Sequence, residues 1–259
     1  MRIVTLLTDF GSGSPYPAEM KAVLLGLCHA TIVDITHDVP RHDIARGAYL
    51  LAAVARVCPA GSVHLAVVDP GTGTARQPLA IAAGGQFFVG PDNGLLIPGA
   101  RALGAPRAFA IDAAFARRPP SPTFHGRDLF APAAAALAAG LPIERVGREA
   151  APPVELPAAP LERTAGRVSG QIIYRDPFGN LVTNIPDSWL LDLPERLVLE
   201  HRHGRSPIRR ARTYADAAGG ELLALAGSTG TVEIALNTRE AASALGLDAG
   251  DIVTLIEPQ

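Results

Sequence analysis

Residues 67–76 read Val-Val-Asp-Pro-Gly-Thr-Gly-Thr-Ala-Arg, so an apolar run ends in a polar loop that contains two glycines. About fifty residues later, residues 123–128 read Thr-Phe-His-Gly-Arg-Asp and again place charged groups beside a glycine. In α/β proteins, loops that follow strand ends carry much of the chemistry. The two stretches therefore predict an α/β fold with an acid, a guanidinium and an imidazole on its loops.

Outward from this loop, residues 1–148 alternate short β-branched runs with segments rich in alanine and leucine. This alternation predicts an N-terminal α/β domain with a central, mostly parallel sheet between helices. The predicted strands are 3–7, 32–35, 63–68, 79–82, 87–89 and 109–111. The predicted helices are 18–28, 44–57 and 129–139, the last apolar almost all round and therefore expected in the interior.

A change of composition follows at residues 149–165, where proline recurs every few residues and favours an extended linker. Residues 166–259 contain short runs rich in branched residues and bounded by turns. The predicted strands there are 166–174, 197–200, 221–226, 231–236 and 251–256. This pattern predicts a smaller C-terminal β-barrel domain.

Composition excludes several classes of function. The chain has 259 residues, 48% of them hydrophobic, and a formal net charge of -2 with no basic run, so neither nucleic acid nor an anionic membrane is an expected partner. A small-molecule partner is expected instead. The apolar run at the N-terminus is too brief for a signal peptide, which predicts a cytoplasmic location. Cys28 and Cys58 lie among apolar residues and are expected to be buried thiols.

Two polar clusters follow predicted strands of the first domain. Residues 7–13 contain Asp9, whose carboxylate suits the two hydroxyls of a ribose but could equally cap a turn. Residues 34–43 combine histidine with aspartate, as some metal sites do. Because Asp43 directly precedes the helical run from Ile44, turn and cap roles are favoured there and no metal is expected.

Two further clusters lie in the second domain. Residues 174–184 place a carboxylate, an aromatic ring and two carboxamides around a proline and a glycine. An aromatic face beside an amide suits a purine pocket, although a hairpin loop would use the same residues for its own backbone. Residues 227–237 form a second small polar loop that runs into a strand.

These segments, in this order, resemble the S-adenosyl-L-methionine hydroxide adenosyltransferases, which are relatives of the bacterial fluorinase and chlorinase. The resemblance extends from Leu6 to about Leu255. It includes the motifs at residues 8–11, 20–21, 34–37, 90–94 and 178–185. The family implies an N-terminal α/β domain, a C-terminal β-barrel, and a homotrimer with active sites between the first domain of one subunit and the second domain of the next.

The resemblance also implies roles for individual residues. The hydroxide-using members carry an acid, an arginine and a histidine, which match the catalytic candidates Asp69, Arg76 and His125. The substrate-binding candidates are Asp9 on the ribose, Thr72 close to the nucleophile, Asn180 and Asn237 near the adenine, Phe178 against its ring, Asp176 and Ser228 on the methionine, and Glu233 nearby. Gly126 matches a position that lines the halide pocket of the halogenases.

The implied reaction is hydrolysis of S-adenosyl-L-methionine (SAM) to adenosine and L-methionine, by in-line attack of water-derived hydroxide on C5′ of the ribose. No cofactor and no metal are expected, because the sulfonium is already a good leaving group and SAM is itself the substrate. Arg76 would supply positive charge but cannot accept a proton. His125, with Asp69 orienting the set, is the hypothetical proton acceptor.

Three alternatives stay open. A chlorinase-like halogenase would bind halide, although the carboxylate of Asp69 would repel an anion. A metal-dependent nucleoside hydrolase or phosphoesterase would use Asp9, Asp34, His37 and Asp69 as ligands. A non-catalytic adenosine or SAM sensor would have no need of Arg76 and His125.

Overall fold

The computed structural model describes residues 2–117 and 119–258, which divide into two compact units between Leu156 and Pro157. The helices of the first unit are α1 (Tyr16–Leu27), α2 (Ile44–Ala55), α3 (Ile97–Leu103) and α4 (Ala131–Ala139). Its strands are β1 (Arg2–Thr8), β2 (Ala30–Thr36), β3 (Val63–Val67), β4 (Pro78–Ala83), β5 (Gln86–Pro91), β6 (Arg107–Ile111) and β7 (Gly147–Glu149).

The strands of the first unit form one sheet in the order β2-β1-β3-β5-β4-β6-β7. The strands β2, β1, β3 and β5 are parallel, whereas β4, β6 and β7 join by antiparallel pairings. The mixed α/β class is thus confirmed, with parallel pairing limited to four strands. The direction changes because Gly84 and Gly85 both have positive φ and close a tight hairpin between β4 and β5.

The sheet of the first unit is covered by helices on both faces. Successive residues of a strand point to opposite faces. Leu65 of β3 accordingly packs in a core with α1 and α4, and Ala66 packs in a second core with α2 and α3. Helix α4 is buried along almost its whole length, as its alanine-rich sequence predicts. It begins at Ala131, after a π-helical turn at Gly126–Phe130 that the sequence pattern did not reveal.

The second unit contains one short α-helix, α5 (Ala241–Leu245), among its described residues. Its strands are β8 (Leu161–Thr164), β9 (Arg167–Arg175), β10 (Leu181–Pro186), β11 (Arg196–His201), β12 (Gly204–Arg210), β13 (Leu222–Ala226), β14 (Thr231–Leu236) and β15 (Ile252–Ile256). The order β10-β14-β13-β12-β11-β15-β9 closes on itself through the pairing of β10 with β9. This closure confirms the predicted β-barrel, with β8 added outside on β9.

The segment predicted as the linker, residues 149–165, is attached at both ends. The amide of Ala150 donates to the carbonyl of Ala108 at 2.9 Å, and the amide of Val154 donates to Asp92 at 2.8 Å. The other end forms β8 of the second unit. Each end therefore belongs to the unit beside it, and the division at Leu156 lies between them.

Two further features complete the description of the fold. No helix within the described residues has the length and apolarity needed to cross a bilayer. Cys28 is buried, Cys58 is half-buried, and both are free thiols.

Candidate active site

The loop that follows β3 holds Asp69 in a closely bonded turn. The hydroxyl of Thr72 donates to the Asp69 carboxylate at 2.8 Å and also lies 3.1 Å from the Asp69 carbonyl oxygen. The amide of Thr72 also donates to that carbonyl at 3.3 Å. Thr72 therefore lies beside the predicted catalytic acid and fixes its side chain.

Arg76 returns from the far end of the same loop to bind Asp69 with two nitrogens. Its Nε lies 2.9 and 3.0 Å from the two carboxylate oxygens, and its Nη2 also donates to Oδ2. The pair is nearly enclosed, with only 10% of the Arg76 side chain and 2% of the Asp69 side chain exposed. A paired, buried guanidinium keeps both its charge and its orientation.

His125 approaches this pair from a second loop. Its Nδ1 lies 3.1 Å from Nη2 of Arg76, and Phe130 packs edge-on against the imidazole. The Arg76 guanidinium lies over the ring of the fully buried Phe130, 5.1 Å from its centroid. The structure thus brings Asp69, Arg76 and His125 together around one aromatic side chain.

The environment lowers the pKa of His125 below the ordinary value for histidine. Burial is the main cause, and the positive charge of Arg76 acts in the same direction, while Asp69 and Asp128 partly oppose them. A guanidinium has only donors, so Nδ1 accepts in the contact with Arg76. The neutral imidazole therefore carries its hydrogen on Nε2.

Gly126 follows His125 and lies in tight surroundings. A Cβ at this position would lie 3.2 Å from the sulfur of Met20 and 3.3 Å from the ring of Phe124. Phe10, Tyr16 and Phe124 contact one another edge to face around this point. A larger residue at position 126 would require these neighbours to move.

Asp9 lies just beyond the end of β1. Its Oδ2 accepts from the amide of His42 at 3.0 Å, and His42 has φ +65°. Among the described residues that are not glycine, positive φ occurs only at His42 and at Thr238. A strained residue beside a candidate binding residue is a frequent feature of functional sites.

In the second unit, Asp176 shapes the turn between β9 and β10. Its Oδ1 accepts from the amides of Phe178 and Asn180 at 2.9 and 2.8 Å, and its Oδ2 accepts from the Asn180 side chain at 2.9 Å. The turn leaves the Phe178 side chain 78% exposed. An aromatic ring is thus presented on a rigid support.

That turn borders a cavity of about 490 Å³ within the second unit. Phe178, Asn180 and Asn237 line it together, and the rest of its wall is formed by Tyr214, Leu236, Thr238, Arg239 and Glu240. The Asn237 side chain donates to the carbonyl of Ala217 at 2.7 Å, which holds the Tyr214 segment in place. The cavity size and the mixture of aromatic and amide groups suit a purine base.

Glu233 lies beside this segment and accepts a hydrogen bond from the Tyr214 hydroxyl. Burial raises the pKa of Glu233, and the negative charge of Asp176 raises it further. Burial and the bond to Glu233 likewise raise the pKa of Tyr214 above its usual range. Ser228 lies in the exposed turn before β14. Asp176 and Glu233 thus give this part of the second unit two carboxyl groups that can accept hydrogen bonds from an ammonium group.

The sequence patterns did not indicate Tyr214 or Phe130 as residues of the candidate site. Tyr214 lies between charged and small residues with no pattern around it, so no local signal marked it. Phe130 fell within a predicted core helix, and its contact with Arg76 could not be inferred from spacing.

The residues that a metal-dependent hydrolase would use as metal ligands make separate contacts with other side chains. Asp34 binds Lys21 at 2.6 Å and lies 3.2 Å from Nε2 of His37, while Asp69 is held by Arg76. Among the described residues, no group of three or more histidine, cysteine, aspartate or glutamate side chains is placed to hold a metal ion. The predicted role of Asp43 as a helix cap is confirmed by its bond to the Arg46 amide at 2.9 Å.

Comparison with known families gives matches over most of the chain. Residues 4–147 match the SAM hydroxide adenosyltransferase N-terminal domain, and residues 170–254 match the C-terminal domain of the same family.

Individual relatives cover nearly the whole chain. A protein of Salinispora tropica named (R)-S-adenosyl-L-methionine hydrolase is 42% identical over 96% of this chain and 95% of its own length. A protein of the same name from Thermus thermophilus is 43% identical over 99% of this chain and 100% of its own length. The crystal structure of an uncharacterized conserved protein from Thermotoga maritima superposes with a TM-score of 0.92 at 34% identity, covering 97% of this chain and 99% of that one.

Proposed function

Because the chain belongs to the SAM hydroxide adenosyltransferase family, we propose that it hydrolyses S-adenosyl-L-methionine to adenosine and L-methionine. The oxygen of water forms a bond to C5′ of the ribose as the bond from C5′ to the sulfonium sulfur breaks. The electron pair of that bond stays on sulfur, which becomes the neutral thioether of methionine. The proton of the attacking water is released.

The contact among Asp69, Arg76 and His125 is the observation that carries this proposal. Water is a poor nucleophile because its pKa lies far above neutral pH, so the site must stabilise hydroxide or remove a proton from water. A buried guanidinium fixed by Asp69 supplies positive charge that needs no reorganisation during the reaction. A sulfonium leaves without help from an acid, so no cofactor and no metal form part of the proposal.

The bond between Arg76 and His125 limits how the proton can move. While Nδ1 accepts from Arg76, Nε2 carries hydrogen and has no lone pair for a proton. In this state His125 can donate to the oxygen of the nucleophile. If His125 takes the proton, as the sequence hypothesis holds, Nδ1 must leave Arg76 when substrate binds.

The binding residues of the proposal follow the chemistry of the substrate. Asp9 would accept from the ribose hydroxyls, and Thr72 and Gly126 would border the attacking oxygen. The cavity of the second unit would hold the adenine, with Phe178 on its face and Asn180 and Asn237 at its edge. Asp176, Glu233 and Ser228 would bind the amino acid part of the methionine.

The proposal includes a homotrimer in which the first unit of one subunit meets the second unit of the next. Its support is the distribution of candidate residues: the catalytic set lies entirely in the first unit, and the adenine cavity lies entirely in the second. A substrate must reach both sets to react.

The test is product analysis. Purified protein is incubated with SAM, with and without chloride and with a chelator, and products are separated by chromatography and identified by mass. Adenosine and methionine, formed at a rate that chelation leaves unchanged, are expected. Formation of 5′-chloro-5′-deoxyadenosine would indicate a halogenase. Loss of turnover on chelation would favour the metal-dependent hydrolase, and binding of SAM without turnover would indicate a sensor.

A further inference from the structure

The loop that carries His125 is closed by the buried carboxylate of Asp128. The Oδ2 atom of Asp128 accepts from the amide of Ser121 at 2.8 Å, and the backbone carbonyl of Asp128 accepts from the amide of Arg117 at 2.8 Å. The Asp128 amide donates to the carbonyl of Phe124 at 3.1 Å. Only 3% of the Asp128 side chain is exposed. One residue thus joins three points of the loop around His125.

Arg127 attaches the same loop to helix α1. Its Nε and Nη2 donate to the two oxygens of Asp128 at 2.7 and 2.8 Å, and its Nη1 donates to Glu19 of α1 at 2.7 Å. Its guanidinium also lies over the ring of Phe124, 4.8 Å from the centroid. Planar, two-point binding of this kind sets direction as well as distance.

These bonds hold the stretch of backbone that orients the imidazole of His125. His125 directly precedes the π-helical turn Gly126–Phe130, and Arg127 and Asp128 lie within its first residues. A π-helical turn is uncommon, and it is frequently found at functional sites. Because this backbone geometry is uncommon, specific bonds must hold it. The bonds of Arg127 and Asp128 to Glu19 and Ser121 hold it here.

We propose that Arg127 and Asp128 are positioning residues for the proposed hydrolysis, holding the His125 loop so that the imidazole meets Arg76. This inference rests on the proposed function. The 3.1 Å contact between His125 and Arg76 depends on two loops 49 residues apart, so a small shift of either loop breaks it. Misplacement of a reacting group by about 1 Å can reduce a rate about a hundredfold.

Asp128 also contributes to the charge around His125. The charged groups that act on the imidazole are Arg76 and Asp69 from the loop after β3 and Asp128 from its own loop, while Phe130 is apolar. Burial and Arg76 lower the pKa of His125, and Asp69 and Asp128 raise it. Removing the charge of Asp128 therefore lowers that pKa further.

The experiment compares Asp128→Asn with the wild-type protein. The amide keeps an acceptor for Ser121 but cannot accept both bonds from Arg127. We expect kcat for adenosine formation to fall about ten- to hundredfold, with KM for SAM changed less than about twofold. The acidic limb of the kcat/KM profile should move to lower pH, an effect that mere loss of stability would not produce.

The matched control is Glu144→Gln, which breaks an exposed ion pair of the same unit. Glu144 binds Arg107 at 3.1 Å, and the two side chains are 54% and 57% exposed. This variant should keep the wild-type kcat, KM and pH profile. If Asp128→Asn fails to fold, Arg127→Lys provides the measurement, since it keeps the charge and loses the two-point bond; the same fall in kcat is expected.

The outcomes separate this inference from the proposed function. A wild-type protein that forms no adenosine from SAM overturns both. An active wild type with a folded Asp128→Asn variant of unchanged kcat and unchanged pH profile overturns the positioning role alone. If only Arg127→Lys folds, an unchanged kcat in that variant overturns the positioning role alone.

Discussion

At the scale of single residues, the surroundings of His125 lower its pKa. Phe130 and the surrounding packing bury the imidazole, and Arg76 adds positive charge, so the neutral form is favoured. A base that is neutral near neutral pH can accept a proton, and one with a lowered pKa stays neutral in weak acid. The kcat/KM of the wild type should therefore be maintained somewhat below pH 6.5, the ordinary pKa of histidine, before it declines.

The variant His125→Asn tests whether the imidazole takes the proton. Asparagine can accept from Arg76 through its amide oxygen but does not titrate. If His125 is the acceptor, kcat should fall by about 10² to 10⁴, and the acidic limb of the pH profile should disappear. The measurement is the steady-state rate of adenosine formation between pH 5 and pH 9. A kcat within about threefold of the wild type would show that His125 only orients Arg76.

At the scale of the secondary-structure elements, a buried polar chain joins three strands of the first sheet. His64 of β3 is fully buried, with Nδ1 2.8 Å from the Thr5 hydroxyl of β1 and Nε2 2.6 Å from Oε1 of Gln86 in β5. Gln86 in turn donates to the carbonyls of Ala55 and Cys58. The chain satisfies polar groups that would otherwise be costly in the core.

Burial lowers the pKa of His64, which gives the stability of the first unit a definite pH dependence. Below about pH 6.5 the unfolded chain binds a proton that the folded chain excludes. The free energy of unfolding should therefore decrease as pH falls, by at most about 1.4 kcal/mol per pH unit from this group. Urea unfolding between pH 7.5 and pH 5.5 measures this slope.

His64→Gln should have a smaller slope than the wild type, whatever its absolute stability. The exposed His29 provides the control, and His29→Gln should keep the wild-type slope. Equal slopes in the wild type and His64→Gln would contradict the assignment of this dependence to His64.

The turn between β9 and β10 is held by α5 as well as by Asp176. Gly179 has φ +78°, and a Cβ there would lie 2.5 Å from Cβ of Glu240, the residue that precedes α5. The carbonyl of Gly179 also accepts from the amide of Ala242 in α5 at 2.9 Å. Only glycine fits between the turn and the helix.

Gly179→Ala should therefore destabilise the protein by about 1–3 kcal/mol and weaken binding of SAM through displacement of Phe178. Gly250→Ala is the control, because Gly250 has φ +98° but no atom would lie within 4 Å of a Cβ added there. Chemical denaturation and calorimetric titration with SAM are the two measurements. If both variants lose the same stability and Gly179→Ala binds SAM normally, the close approach of Glu240 has no role in the site.

At the scale of the whole molecule, each unit packs around buried hydrophobic residues of its own and carries its own part of the candidate site. The first unit holds the catalytic set between the loops after β3 and before α4, and the barrel holds the aromatic cavity. In the proposed trimer, the first unit of one subunit and the second unit of the next together form each active site. This arrangement can be tested without a structure of the complex.

Two variants that the proposal expects to be inactive, Asp69→Asn in the first unit and Asn180→Ala in the second, are mixed by co-expression. If sites form between subunits, random mixing leaves about a quarter of the sites with both parts intact, and activity returns to about that fraction. Native mass spectrometry should show a species with three times the mass of one chain. Mixing Asp69→Asn with His125→Ala, both in the first unit, should restore nothing. Absence of recovery in the first mixture, with trimers present, would contradict shared sites.

The sequence alone determined the features that depend on local spacing. The strand at 63–67 and its glycine loop follow from an apolar run that ends at a polar one, and the barrel follows from repeated short strands. Asp69 and Arg76 are seven residues apart on one loop, so their pairing needs only that the loop turn back. Asp43 caps α2 because capping is a contact between neighbours in the chain.

Tertiary structure alone decided the features that depend on distant segments. A strand pattern does not specify its partner, so the antiparallel half of the first sheet could not be predicted from composition. In the second unit, β8, β10 and β12 lie outside the runs that the sequence predicted as strands. The contact of His125 with Arg76, the bond of Tyr214 to Glu233 and the lowered pKa of His125 arise where loops far apart in the chain meet. The residue type determines which hydrogen-bonding and titratable groups a side chain has. Burial and neighbouring charge, which the fold supplies, determine the pKa of those groups.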